Sequence, residues 1–455
     1  MLSLDLGRRD FLRISAASLP LAGLLACAAR ADTGNRLTTG KSVVFLFLHG
    51  GPSQFETFDP KMAAPAEIRS ATGEIATAIP GVTFGSTFTR LAARAKQLTI
   101  VRSFATGDAN HDIKPIVGKD TFGANLGSMY AHVAGVNDTV NGMPTNAALF
   151  PRAVDPAAGP HQMGFGNFLA SGAFGSSATP FVPGGAGPMQ KNLSLALPLD
   201  RFDDRRELLR RIDRERAGID DAEQAGIAGV REKAYRILLG DVANAFDLSK
   251  EPAKTIARYD TAPLVPAEKI NKKWNNHKHY ADNARTLGKL LLLARRLCEN
   301  GCRFVTVTTN FVWDMHADSN NAGVVEGMGY MGVPLDHAVS AFVDDVQARG
   351  LSEKILLVVC GEMGRTPRIN KNGGRDHWGN LSPLLLAGGG HRMGQVIGQS
   401  SRNGGEPATD PVTNRHLVST ILHTLFDVGQ LRVQRGLPRE IGEAANWQAI
   451  PGLHG

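Results

Sequence analysis

Asp314-Met315-His316 sets a carboxylate and an imidazole two residues apart, on one side of the chain wherever it runs extended. That pair is suited to zinc, manganese or iron. Glu362 and Arg365 stand in Gly361-Glu362-Met363-Gly364-Arg365-Thr366-Pro367. There the two glycines leave room for close approach, and the guanidinium can hold an oxyanion through a forked pair of bonds. Arg375-Asp376-His377-Trp378 joins an anion-binding group, a carboxylate and an imidazole, so that His377 can ligate a metal while a carboxylate orients its ring. His111-Asp112 is a further metal-competent pair.

His49-Gly50-Gly51-Pro52-Ser53 has the look of an esterase oxyanion-hole loop, but the chain has no Gly-x-Ser-x-Gly elbow to accompany it. Ser53 and Thr57 remain as candidate nucleophiles. His277-x-His279 has no evident carboxylate partner and reads as surface histidines.

These residues need a scaffold. Val43–Leu48, Leu98–Arg102, Arg303–Thr308, Lys354–Val359 and Pro383–Ala387 are apolar runs that read as buried strands. Phe88–Lys96, Leu335–Arg349 and Arg415–Phe426 have helical period. Residues 104–190, rich in Gly, Ala, Asn and Pro, read as loops and short helices. Residues 201–300 read as a helical insertion, with a charged run at Arg205–Arg216. The expected fold is α/β, a doubly wound, mostly parallel sheet with helices on both faces. Its first part spans 32–200 and its second 301–455. In such a sheet the site lies at the carboxyl ends of the strands, where most of the motifs above begin.

The 455 residues, 42% apolar and 20% charged, suit a globular chain with a proper core. Residues 1–31 read as a twin-arginine signal: Arg8-Arg9, an apolar stretch from Ile14 to Ala29, and small residues at Ala29-Arg30-Ala31 for cleavage. Leu24-Leu25-Ala26-Cys27 leaves lipoprotein anchoring at Cys27 as an alternative. The expected location is therefore periplasmic or secreted, with the twin-arginine translocase as a partner during export. No later segment reaches membrane-spanning length. The formal charge is +7, and +5 without residues 1–31, too little to argue for nucleic-acid binding. Cys298, Cys302 and Cys360 read as plain thiols.

With these motifs assembled, the chain resembles the domain of unknown function 1501 family. The resemblance rests on Gly50-Gly51-Pro52-Ser53-Gln54 through Thr57-Phe58-Asp59-Pro60-Lys61, Val101-Arg102-Ser103, His111, Trp313-Asp314-x-His316, Gly361-Glu362-x-Gly364-Arg365-Thr366-Pro367 and Gly374–Trp378. It implies an alkaline phosphatase and sulfatase-like fold whose sheet presents one or two divalent metals, zinc, manganese or calcium. By that resemblance Asp314, His316 and His377 match the ligands of one metal, and Glu362 matches an aspartate of the second; Asp376 is a further candidate ligand. Ser53, His111, Arg365 and Arg375 are the candidate catalytic groups. The chain departs from the pattern at Met363, at His49-Gly50 where an aspartate is usual, and in lacking a recognisable nucleophile. The implied function is hydrolysis of sulfate or phosphate esters, on anionic small molecules or polysaccharide, by an altered or single-metal site. The alternative is a non-catalytic binding or assembly protein that retains the fold.

Overall fold

A computed structural model describes residues 37–184, 201, 204, 205, 207, 208 and 242–453. The signal segment, Cys27 and most of the charged run at 205–216 lie outside the described residues.

Seven strands form the central sheet: β1 (Ser42–Phe47), β2 (Thr99–Val101), β3 (Asn146–Leu149), β4 (Phe304–Thr308), β5 (Ile355–Cys360), β6 (Leu384–Gly388) and β7 (Gln395–Ile397), in the order β7-β2-β6-β5-β1-β4-β3. β1 lies between β4 and β5, parallel to both. β3 is parallel to β4, and β7 is parallel to β2. β6 is antiparallel to both β5 and β2, so six strands share one direction and β6 alone is reversed.

The β1 sequence is apolar at nearly every position because both faces are covered. Val44 and Leu46 point into one core, with α3 (His277–Glu299) and α4 (Val324–Ala348). Val43, Phe45 and Phe47 point into the other, with α2 (Leu126–Ala134) and α5 (Asn414–Leu425). A fifth helix, α1 (Thr89–Ala93), lies on the α4 side. Burying each large apolar side chain contributes roughly 1.5–3 kcal/mol. The layout is the expected doubly wound α/β fold.

Three local expectations need correction. β3 falls inside the stretch read as loops and short helices; its small side chains, Asn-Ala-Ala-Leu, carry little pattern. The short edge strand β7 also went unread. The α4 helix begins at Val324 and runs through Pro334, where the sequence placed a start after the proline. Burial of Met328 and Met331, with the Tyr330 ring 5.1 Å from Tyr280, outweighs the lost backbone bond.

Candidate metal centre

The reversed strand explains how the site assembles. Residues 49–54, 309–316 and 361–365 follow parallel strands and emerge at their carboxyl edge. His377 precedes a strand, but because β6 runs backwards its start lies at the same edge. The short ribbon Gly364–Arg365 with His377–Trp378 places His377 opposite Arg365.

Backbone contacts lock these segments together. Val312 and Trp313 donate their amides to the His49 carbonyl at 3.2 and 3.1 Å. The Gly50 amide donates to both oxygens of Glu362, at 2.9 and 3.2 Å. Gly50 has φ +117°, and a Cβ there would stand 2.6 Å from the Asp314 amide nitrogen. Only glycine permits that approach.

Four side chains then converge. Asp314 Oδ1 lies 2.8 Å from His316 Nε2, 3.3 Å from His377 Nε2 and 3.4 Å from His111 Nε2. His316 Nε2 and His377 Nε2 are 2.7 Å apart. One donor atom from each of the four residues lies within 4.8 Å of the others. A tetrahedral site with ligands about 2.0 Å from zinc has edges of about 3.3 Å.

The far side of two rings fixes which nitrogen faces inward. His111 Nδ1 meets Glu362 Oε1 at 3.0 Å, and His316 Nδ1 meets Asp376 Oδ1 at 3.1 Å. A carboxylate takes the proton on Nδ1, so each Nε2 presents a lone pair to the cluster. His111 Nε2 is buried and has no hydrogen-bond partner. With neutral imidazoles, Asp314, Glu362 and Asp376 against Arg365 leave an excess of two negative charges. A divalent ion satisfies both the unpaired nitrogen and that excess, so the donor set fits one.

The carboxylates, the Arg365 guanidinium and the imidazoles of the cluster shift one another. Burial alone would raise the Asp314 carboxyl, but Arg365 and the three imidazoles hold it far below the usual carboxylate range. Burial lowers His111, and the Asp314 and Glu362 carboxylates outweigh it to leave a net rise. Burial raises Asp376, while Asn370 and His316 bring it below the ordinary value. His49 is pulled down by burial to about 4 and sits edge-on to Phe311, ring centroids 4.8 Å apart.

The remaining expected residues are placed differently. Glu362 and Asp376 do not enter the group of four; they hold its histidines from behind. Arg365 is buried, and its guanidinium is used by the protein itself. It donates to Gly51 O at 2.7 Å, Gly50 O, Arg375 O at 3.2 Å, Asp314 Oδ1 at 2.7 Å and His316 Nε2 at 3.3 Å. Arg375 is also fully buried, lying 4.2 Å over the Phe55 ring and donating to Glu56 and to the carbonyls of Ile68 and Arg69. Neither guanidinium is free to steady an anion. Ser53 donates its hydroxyl to Glu56, and Thr57 donates to Ser53 O at 2.7 Å, so both belong to the Arg375–Glu56 cluster.

His279 is half-buried, and its Nδ1 accepts from Asn310 at 2.8 Å. His277 Nδ1 bonds Trp274 O. Cys298, Cys302 and Cys360 are buried and free. Sequence reasoning missed Asn321, 3.5 Å from Asp314 Oδ2 and itself bonded by Asn276 at 2.9 Å. It also missed Phe165 and Phe311 beside His111. No spacing motif marks these residues, although glycines flank Phe165.

The sequence matches the family described as "Protein of unknown function (DUF1501)" over residues 40–446. The chain belongs to the DUF1501 family. Its cluster and the stitching around Gly50 lie inside the matched span. No curated protein matches this DUF1501 chain. Among solved structures it is similar to the PsFucS1 sulfatase from Pseudoalteromonas sp., at 10% identity and TM-score 0.35, covering 89% of this chain and 70% of that one. It is similar to the phosphonate monoester hydrolase SpPMH from Silicibacter pomeroyi, at 11% identity and TM-score 0.31, covering 84% and 73%. It is also similar to the alkaline phosphatase from the Antarctic bacterium TAB5, at 11% identity and TM-score 0.29, covering 84% and 98%. Among the described residues of the DUF1501 chain, no helix is long and apolar enough to cross a membrane.

Proposed function

We propose that this chain is an exported, metal-dependent hydrolase of sulfate or phosphate esters with a single-ion site. The observation that carries the reading is the convergence of three imidazole Nε2 atoms on Asp314 Oδ1, with one of those nitrogens buried and unpaired. His111, His316, His377 and Asp314 would hold one divalent ion, zinc, manganese or calcium. When bound, such an ion polarises an ester oxygen and makes water a competent nucleophile near neutral pH.

The chain's own residues do the positioning. Glu362 and Asp376 keep the protons of His111 and His316 on Nδ1, so that both Nε2 atoms stay unprotonated toward the centre. Arg365 keeps Asp314 ionised and ties it to the Gly50–Gly51 backbone. Since Ser53 and Thr57 are committed to the Glu56 cluster, attack by water fits these residues better than a covalent step. The positive balance of the chain favours anionic substrates, small-molecule or polysaccharide esters. The twin-arginine pattern assigns export through the twin-arginine translocase to the periplasm or beyond. Of the helical insertion expected over residues 201–300, residues 202, 203, 206 and 209–241 lie outside the described residues.

One observation favours a second reading, a non-catalytic binding or assembly protein that retains the fold. The Arg365 guanidinium reaches Asp314 Oδ1 and His316 Nε2, two of the donor atoms, and supplies positive charge there itself.

Elemental mass spectrometry of the purified mature chain, wild type beside His377→Ala, separates the two when paired with turnover of para-nitrophenyl sulfate and phosphate. The hydrolase reading expects about one divalent ion per chain, lost in the variant, and turnover that depends on it. A wild type that takes up no zinc, manganese or calcium supports the binding protein and removes the hydrolase.

A further inference from the structure

Phe165 is 38% exposed, and it stacks on Phe311 with ring centroids 4.3 Å apart and planes 24° apart. Phe311 is nearly buried and packs edge-on to His111 at 4.6 Å; Phe165 itself is 5.3 Å from the His111 ring. The His111 ring in turn lies 4.1 Å from that of His377. The aromatic pair therefore stands one ring away from the four donor atoms.

The loop that presents Phe165 is held in place. Gly166 has φ +152°, and a Cβ there would meet Ile113 at 2.6 Å, so its backbone lies directly on the segment that carries His111. Gly164 has nothing within 4 Å of its Cβ position. The run Met163-Gly164-Phe165-Gly166 contains no polar side chain, and Met163, two residues before Phe165, is 39% exposed. The run itself offers no side-chain partner to the hydroxyls of a sugar. A flat apolar ring needs only a face to stack on and area to bury.

We infer that Phe165, backed by Phe311, is the specificity wall of this site and selects esters whose alcohol part is an aromatic ring. The inference rests on the hydrolase reading for the anionic end of the ligand, and it adds what lies at the other end. The anion meets the His/Asp cluster while the aryl group stacks on Phe165.

Two non-hydrolysable probes test it: phenylphosphonate and methylphosphonate, titrated by calorimetry into the purified chain, Phe165→Ala and Phe165→Trp. The wild type and Phe165→Trp should bind the phenyl probe about tenfold more tightly than the methyl probe. Phe165→Ala should bind both alike, with methylphosphonate affinity and metal content unchanged. Equal binding of the two probes by the wild type, binding of neither, or a preference that survives in Phe165→Ala would overturn the wall. Turnover of a para-nitrophenyl ester is read separately. An aryl preference lost in Phe165→Ala without turnover removes hydrolysis and keeps the wall, whereas turnover without an aryl preference does the reverse.

Discussion

Glu362 Oε1 and His111 Nδ1 face each other at 3.0 Å, although 251 residues separate them in the chain. The same carboxylate is held by the Gly50 amide, so the backbone after β1 sets the orientation of a histidine that follows β2. That bond decides which nitrogen of His111 points at Asp314.

Glu362→Gln keeps the shape of this contact and removes its charge. The chain should fold, and its affinity for a divalent ion should fall about 10–100-fold. Competition with a chelator of known affinity measures this. An unchanged affinity would show that Glu362 does not govern the ring.

Arg375→Met leaves Glu56, itself fully buried, without its cation. Breaking a buried pair this way costs about 3–5 kcal/mol, read as a lower denaturant midpoint. Glu56→Gln combined with Arg375→Met should recover part of that loss. The folded fraction of either variant should keep its metal content, because the Arg375 guanidinium touches none of the four donors. Full stability in Arg375→Met would refute the structural role given to it.

Away from the site, Glu251 meets Arg295 at 2.8 Å, Arg296 at 2.5 Å and Arg349 at 3.1 Å. Burial pushes its carboxyl up, but Arg295 and Arg296 outweigh it and hold the group below its ordinary value of 4.5. A carboxylate depressed by folding stabilises the native state above that ordinary value, and the stabilisation fades as pH falls through the lower native one. Denaturant midpoints taken from pH 7 down to pH 3 should fall more steeply below about 4.5 for the wild type than for Glu251→Gln. Parallel curves would mean that Glu251 contributes nothing to the acid transition.

Much of the scaffold was legible because its strands are buried on both sides. Val43–Leu48 and Lys354–Val359 are apolar at every pleat or nearly so, a pattern that few other elements produce. That property also hid the reversal of β6, since a strand apolar on both faces reads alike in either direction. The Asp314-x-His316 spacing pointed to a donor pair, and both residues do face one centre. The roles of Arg365 and Arg375 were not legible. A guanidinium that steadies a ligand and one that binds a buried carboxylate use the same atoms, and nothing near Arg375 in sequence names Glu56, 319 residues away, as its partner. Phe165 was invisible for a related reason: its importance lies in which histidine it meets.

The cluster also bears on how the molecule is made. His316 and His377 lie 61 residues apart, and His111 is far earlier than either. None of these donors meets another until β1 has paired with both β4 and β5 and β6 has docked in reverse. Each of those closures must be completed against chain entropy before its contacts return anything. Asp314 and His316 are near neighbours in the chain, but His111 and His377 join them only in the closed sheet. An ion held there would report only molecules whose sheet has closed, so metal content per chain would double as a measure of folding yield.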